Sequence, residues 1–206
     1  MLCFALSRAG GYALSVAREV HKHYISEHEY LEGEKLSSER HEYVDGQVYL
    51  MAGASKRHNR IAGNCYRAFM DAGNSQCEAF MGDLKVRASK QRKTYYYPDV
   101  VVGCAEDDDA DNYYLEKPCL IVEVTSASTL RKDYLEKALV YQSIPSLQAY
   151  LIVAQDKPQV DMLVRDTDGG WALQQFDRLQ DEITLPCLEI TLGLADIYAG
   201  VTLSEE

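Results

Sequence analysis

Positive charge is scarce in this chain: 21 Lys and Arg stand against 32 Asp and Glu, a formal net charge of −11. Proteins that coat nucleic acid non-specifically need a basic footprint, so that class is excluded, while a local basic groove is not. Long apolar runs are also missing, and none approaches the length of a bilayer span. The six cysteines, Cys3, Cys65, Cys77, Cys104, Cys119 and Cys187, contain no CxxC pair and no zinc-like spacing. They are expected to be reduced core thiols acting as small hydrophobes in a cytoplasmic protein. Internal repeats and low-complexity tracts are absent. The opening Met1 to Ala17 has no basic n-region and carries Gly10-Gly11, which argues against a signal peptide. Residues 1–23 are expected to be a poorly structured leader, and 24–206 a single domain.

What is present is enough apolar residue, 47%, to build a full core. Ser26-Glu27-His28-Glu29 matches a capping box and predicts a short helix through Glu32. Glu42 to Leu50 reads as two short strands around Asp45-Gly46. Ile61, Cys65, Ala68, Phe69 and Ala72 recur at helical spacing, predicting a helix from Arg57 to Asp71 with Gly73-Asn74 as its stop. Cys77–Met81 and Leu84–Ala88 alternate like strands. Tyr95–Gly103 and Cys119–Thr125 are the strongest strand patterns. Between them, residues 106–111 form an acidic loop that fails the calcium-loop pattern, with Asn112 and Pro118 where Gly and Glu are needed. Ser126–Ser143 reads as a second main helix, capped by Ser126 or Ser128 and followed by Pro145. Gln148–Ala154, Gln159–Arg165 and Gly170–Arg178 read as strands, and Leu192–Tyr198 as a short closing helix. This order predicts an α/β or α+β domain with a mixed sheet.

The chemistry concentrates in two acids. Asp99 and Glu123 each sit inside an apolar strand pattern, and a buried carboxylate is costly unless a cation compensates it. Two adjacent strands that bring these acids together make a hard-cation site, which points to phosphate chemistry. On the following helix Asp133, Lys137 and Tyr141 are spaced four apart and share a face. Leu130, Leu135, Ala138, Leu139 and Ile144 are left to pack that helix on the sheet. Lys137 can reach back toward the carboxylates; its alternative is a surface pair with Asp133. Lys85, Arg87, Lys90, Arg92 and Lys93 form the one basic concentration, either a groove wall or a solvated hairpin tip.

As a set, these residues resemble a known family. Glu42 with Val44-Asp45-Gly46, Met51-Ala52-Gly53-Ala54-Ser55 leading to His58, Tyr97-Pro98-Asp99-Val100-Val101, Glu123-Val124-Thr125-Ser126, and Asp133, Lys137 and Tyr141 look like the Uma2 (DUF820) family. That family is assigned to the restriction-endonuclease-like PD-(D/E)XK superfamily. The resemblance spans roughly Tyr24 to Ile152.

It implies a mixed β-sheet flanked by helices, with extra hairpins, and a Mg²⁺-dependent endonuclease in which Mn²⁺ can substitute. Asp99, Glu123, Lys137 and Glu42 match catalytic positions. Asp99, Glu123 and Asp83 match metal-binding acids. His58 and Tyr141, together with Lys85 and Arg87, are candidates for substrate contact. Thr125 stands where the superfamily keeps its lysine, so Lys137 is the migrated counterpart. DNA is the expected substrate, with a homodimer expected by analogy. Two other readings stay open: a non-catalytic nucleic-acid-binding or regulatory protein, and a metal-dependent hydrolase of a small phosphate substrate. Lys137 discriminates the first, because a lysine turned to solvent leaves the site incomplete.

Overall fold

Local signals account for the first elements of the computed structural model, which describes residues 24–72, 76–104, 112–126 and 130–203. Ser26 caps α1 (Glu27–Leu36): its hydroxyl accepts the Glu29 N–H and the Glu29 carboxylate accepts the Ser26 N–H. Asp45 and Gly46, at φ 44° and 87°, turn β1 (His41–Val44) into β2 (Gln47–Leu50). Ser55 caps α2 (Lys56–Asp71), which buries Ile61, Ala62, Cys65 and Phe69 on one side. The leader, the Gly73-Asn74 stop, the 106–111 loop and the Ser128 cap all lie outside the described residues.

The next strands are β3 (Cys77–Met81), β4 (Lys85–Ser89), β5 (Thr94–Tyr96), β6 (Val100–Cys104), β7 (Tyr114–Leu115) and β8 (Pro118–Thr125). The run predicted as one strand, Tyr95–Gly103, is two. Pro98 has no N–H for a ladder, and the chain leaves one sheet at Tyr97 and enters another at Val100. That break puts Asp99 at the entrance of β6 rather than inside a strand.

A π-helical turn (Lys132–Lys137) follows and leads into α3 (Ala138–Tyr141). Then come β9 (Ala149–Ala154), β10 (Val160–Arg165), β11 (Trp171–Phe176), β12 (Glu182–Leu185), β13 (Ile190–Gly193) and α4 (Leu194–Ile197). The six-stranded sheet has the order β11-β10-β9-β8-β6-β3, with β8 and β9 parallel and the other pairs antiparallel. All eight residues of β8 are buried, as a central strand covered on both faces requires. A five-stranded sheet, β2-β1-β5-β4-β7, lies beside it, and β12-β13 make a separate hairpin that the sequence patterns did not predict.

One core joins α2, α4 and the β12–β13 hairpin to one face of the large sheet. On the other, Tyr141, Ile144, Leu147 and Tyr150 pack against Ile121, Ile152 and the small sheet. The segment after β8 buries Ala138 and Ile144 as expected but leaves its leucines outside. Leu130, Leu135 and Leu139 are 44, 54 and 72% exposed, while Asp133, Lys137, Ala138 and Tyr141 face inward. Ion pairs waiting beneath the helix outweigh the apolar stripe. No helix among the described residues is long and apolar enough to cross a membrane.

The cysteines also depart from expectation. Cys77 is disulfide-bonded to Cys104 and Cys119 to Cys187, and Cys65 is a free thiol on the buried face of α2. Antiparallel pairing seats Cys77 directly across from Cys104. Separations of 27 and 68 residues hid both pairs from a spacing argument.

Candidate active site

The site lies where the two sheets meet, at the end of β8. Val100 pairs with Val122, so Asp99 and Glu123 stand at the same level of adjacent strands. Asp99 is held from two sides: the Val124 N–H donates to its Oδ2 at 2.7 Å, and His58 Nε2 from the first turn of α2 sits 3.1 Å from the same oxygen. Glu123 Oε1 accepts from Lys137 Nζ at 2.8 Å and from the Tyr141 hydroxyl at 3.0 Å. Glu42 reaches in from β1 of the small sheet. Its Oε1 is 2.9 Å from Lys137 Nζ, and its other oxygen pairs with Lys132. Asp133 closes the group 3.6 Å from Lys137. The Lys137 ammonium also stands 5.5 Å over the Tyr96 ring.

Four carboxylates (Glu42, Asp99, Glu123, Asp133) thus face two lysines and one histidine. The surplus of acid shows in the protonation equilibria. Burial, then the nearby charges of Asp99, Asp133 and Glu42, push the Glu123 carboxyl up to about 8 against the pull of Lys137. Burial works against the Lys137 charge, but Glu123, Glu42 and Asp133 outweigh it and hold the ammonium protonated. Glu42 would be raised by burial, yet Lys137 and Lys132 bring it below the usual range. Burial lowers His58, but Asp99 reverses the sign and raises it.

The cluster fits a hard cation on the chemistry of its donors. Such ions take carboxylate oxygens, and this group has more negative charge than its own cations neutralise. Among the described residues, every partner of Asp99 lies on Oδ2 and every partner of Glu123 on Oε1, leaving one oxygen of each for a ligand.

Several candidates from the sequence are not brought here. Asp83 neighbours Asp99 along the backbone, where the Gly82 N–H donates to the Asp99 carbonyl at 3.1 Å. Its side chain, however, is 77% exposed and pairs with Arg40. Lys85 is buried, with its Nζ 3.3 Å from the Tyr97 hydroxyl. Arg87 is spanned by Glu27 and Glu116, both at 2.9 Å, and Lys90 joins Glu116. The basic concentration of β4 thus ties the small sheet to α1 and Glu116, and Arg87 and Lys90 line a cavity of about 440 Å³ with Glu116, Lys117 and Ser143, apart from the carboxylate cluster. Tyr141 does join the cluster: it is fully buried and its hydroxyl donates to Glu123 Oε1.

Sequence reasoning missed the cations that do line an opening beside the site. A cleft of about 540 Å³ is walled by Ser55, Lys56, Arg57, Arg60, Gln155 and the 200–202 segment, on the same helix turn that carries His58. Ser55 fixes its rim by donating to Gln155 Oε1 at 2.8 Å. The signal was available in Ser55-Lys56-Arg57-His58: a cap followed at once by bases. Lys132 was missed as well.

A mixed sheet carrying two acids on neighbouring central strands, met by a lysine from the next helix, defines a nuclease-like α+β architecture. The chain belongs to the Uma2 family, whose model, described as "Putative restriction endonuclease", matches residues 27–196. It is 34% identical over 180 residues to "Uncharacterized protein slr1290" of Synechocystis sp., covering 86% of this chain and 93% of that protein. It is 33% identical over 165 residues to "Uncharacterized protein sll1609" of the same organism, covering 79% and 93%. Its fold is similar to that of the crystal structure titled as "a putative nuclease belonging to DUF820" from Anabaena variabilis, with a TM-score of 0.70, 16% identity, and coverage of 86% of this chain and 99% of that one. At that identity the likeness carries the fold alone. The family description points to nuclease activity.

Proposed function

We propose that this protein is a divalent-cation-dependent endonuclease that hydrolyses phosphodiester bonds in DNA, with Asp99 and Glu123 as the acids of the cation site and Lys137 as the catalytic cation. The observation that carries the reading is Lys137. It is turned into the cluster, 2.8 Å from Glu123, and not toward solvent. A lysine in solvent would have favoured a binding-only protein.

When bound, Mg²⁺ or Mn²⁺ supplies Lewis-acid polarisation of a phosphate oxygen. The chain does the rest. Lys56, Arg57 and Arg60 draw the phosphate backbone into the cleft. The Val124 N–H and His58 hold Asp99, and the Tyr141 hydroxyl holds Glu123, so that both acids present a fixed oxygen. Lys137 places a fixed positive charge where negative charge builds on the phosphoryl oxygens. Glu42 balances that charge in the resting site and positions the ammonium.

The test is cleavage of supercoiled plasmid by the purified protein with Mg²⁺ or Mn²⁺, beside Asp99→Ala, Glu123→Ala and Lys137→Ala. Cutting by the parent that all three variants lose supports the assignment. Absence of cutting by folded parent with either ion, or equal cutting by all four proteins, overturns it.

A further inference from the structure

A second cluster occupies the other end of the large sheet. Cys104 closes β6 and Cys119 is the second residue of β8, whereas Asp99 and Glu123 lie toward the opposite ends of those strands. Cys104 lies five positions beyond Asp99, roughly 16 Å of extended strand. Cys77, at the start of β3, is paired across from Cys104, and Cys187 arrives from the turn of the β12–β13 hairpin.

Three sulfurs from three segments therefore converge, and the fourth, that of Cys77, joins them through its bond to Cys104. Cys104 Sγ and Cys119 Sγ, which belong to different disulfides, are 3.4 Å apart. The sulfurs of Cys104, Cys119 and Cys187 all lie within 4.8 Å of one another. Two independent staples have no reason to touch. A tetrahedral thiolate site does: metal–sulfur bonds of about 2.3 Å place its sulfurs about 3.8 Å apart. The cluster is only partly buried, so an ion can reach it, and it is backed by the core through buried Cys119.

We propose that in the reduced protein Cys77, Cys104, Cys119 and Cys187 form a binding site for one thiophilic divalent cation of the zinc class, separate from the carboxylate site. Binding releases the thiol protons and gives four thiolate–metal bonds. The disulfide-bonded arrangement is the metal-free, oxidised form of the same four sulfurs. Reaching it from the thiolate complex removes four electrons, two per disulfide. A peroxide-class oxidant accepts them, two equivalents with four protons becoming four waters, as the cation departs. In its bound form the metal ties the edge strand β3 and the β12–β13 hairpin to the central strands β6 and β8.

The experiment is titration of the full chain, reduced and stripped of metal, with Co²⁺, read by thiolate-to-cobalt absorption in the near ultraviolet, with zinc content measured on protein purified under reducing conditions. One equivalent of Co²⁺ is expected, displaced by Zn²⁺. Cys119→Ser and Cys187→Ser are expected to weaken uptake by roughly tenfold or more, and Cys65→Ser to leave it unchanged. Should the serine variants fail to fold, the Asp99→Ala/Glu123→Ala double variant serves in their place, with the thiolate band expected intact. Folded, reduced protein that develops no thiolate–cobalt band, or a band unaffected by losing Cys119 and Cys187 or abolished by losing the two acids, overturns the proposal.

Discussion

Replacing Glu123 by glutamine is expected to abolish cleavage and yet stabilise the fold, by an amount set by pH. In the unfolded chain this carboxyl titrates near 4.5, and in the folded protein burial and three neighbouring acids push it up to about 8. The folded state therefore binds the proton more tightly. Glu123 costs nothing below about pH 4.5, and its cost grows as pH rises from there to about 8. At ~1.4 kcal/mol per pH unit, the cost at pH 7 is on the order of 3 kcal/mol as an upper figure. Glutamine has nearly the same shape, keeps an oxygen for Lys137 Nζ and Tyr141, and does not ionise. Lys137 retains Glu42 at 2.9 Å and Asp133 at 3.6 Å. Urea denaturation of parent and Glu123→Gln, in chelator, from pH 4.5 to pH 8.5 reads the difference directly. The curves should meet at the acid end and separate with the variant on top by about 2–3 kcal/mol near neutrality. A variant less stable than the parent at pH 7.5, or a difference that stays flat across the range, refutes the reasoning.

Lys137→Met leaves Glu123 buried without its cation and Glu42 with Lys132 alone, and should cost about 3–5 kcal/mol by urea midpoint at pH 8, as well as all cleavage; a loss under about 1 kcal/mol would contradict the buried-pair geometry. His58 is raised by Asp99, so its contribution is complete below the unfolded value of about 6.5 and fades as pH rises through the folded one. The stability gap between parent and His58→Gln should therefore be wider at pH 5.5 than at pH 9 in thermal melts. Arg57→Ala/Arg60→Ala should weaken duplex binding, read by fluorescence anisotropy in Ca²⁺, and flatten the plot of log affinity against log salt by roughly 1–2 units. Tyr141→Phe removes one donor from Glu123 and should cost about 1 kcal/mol with cleavage reduced but present; complete loss of activity would assign the hydroxyl a larger role.

The acids of the site were legible because they broke a local rule: Asp99 and Glu123 are charges set in apolar strand patterns. Lys137 was legible from its four-residue spacing with Asp133 and Tyr141 just after Glu123, and Glu42 through the family resemblance. What stayed hidden depends on which face an element turns inward. Leu130, Leu135 and Leu139 make a good apolar stripe on paper, but Lys137 and Tyr141 have partners waiting on β1 and β8, and an ionic network outranks three leucines. The ties of Lys85 and Arg87 were hidden because their partners, Tyr97, Glu27 and Glu116, lie 12, 60 and 29 residues away. The β12–β13 hairpin went unread because its turn, Pro186 to Glu189, carries no Asp-Gly or Asn-Gly signal, unlike the equally short β1–β2 pair. The cysteine cluster went unread because strand order, not spacing, assembles it.

The π-helical turn has a consequence for how this site is inherited and altered. Lys132 and Lys137 are five positions apart and both grip Glu42. On a regular α-helix they would point about 140° away from each other. The wider turn, closed by the Ala138 N–H donating to the Asp133 carbonyl, aligns them. A π turn amounts to one residue inserted into an α-helix. Deleting a single residue from this stretch would thus restore an ordinary helix and rotate one cation out of the cluster, changing the charge of the site without substituting any residue that touches it. Length variation in this one turn is a route by which relatives can diverge in chemistry while every motif in their sequences stays intact.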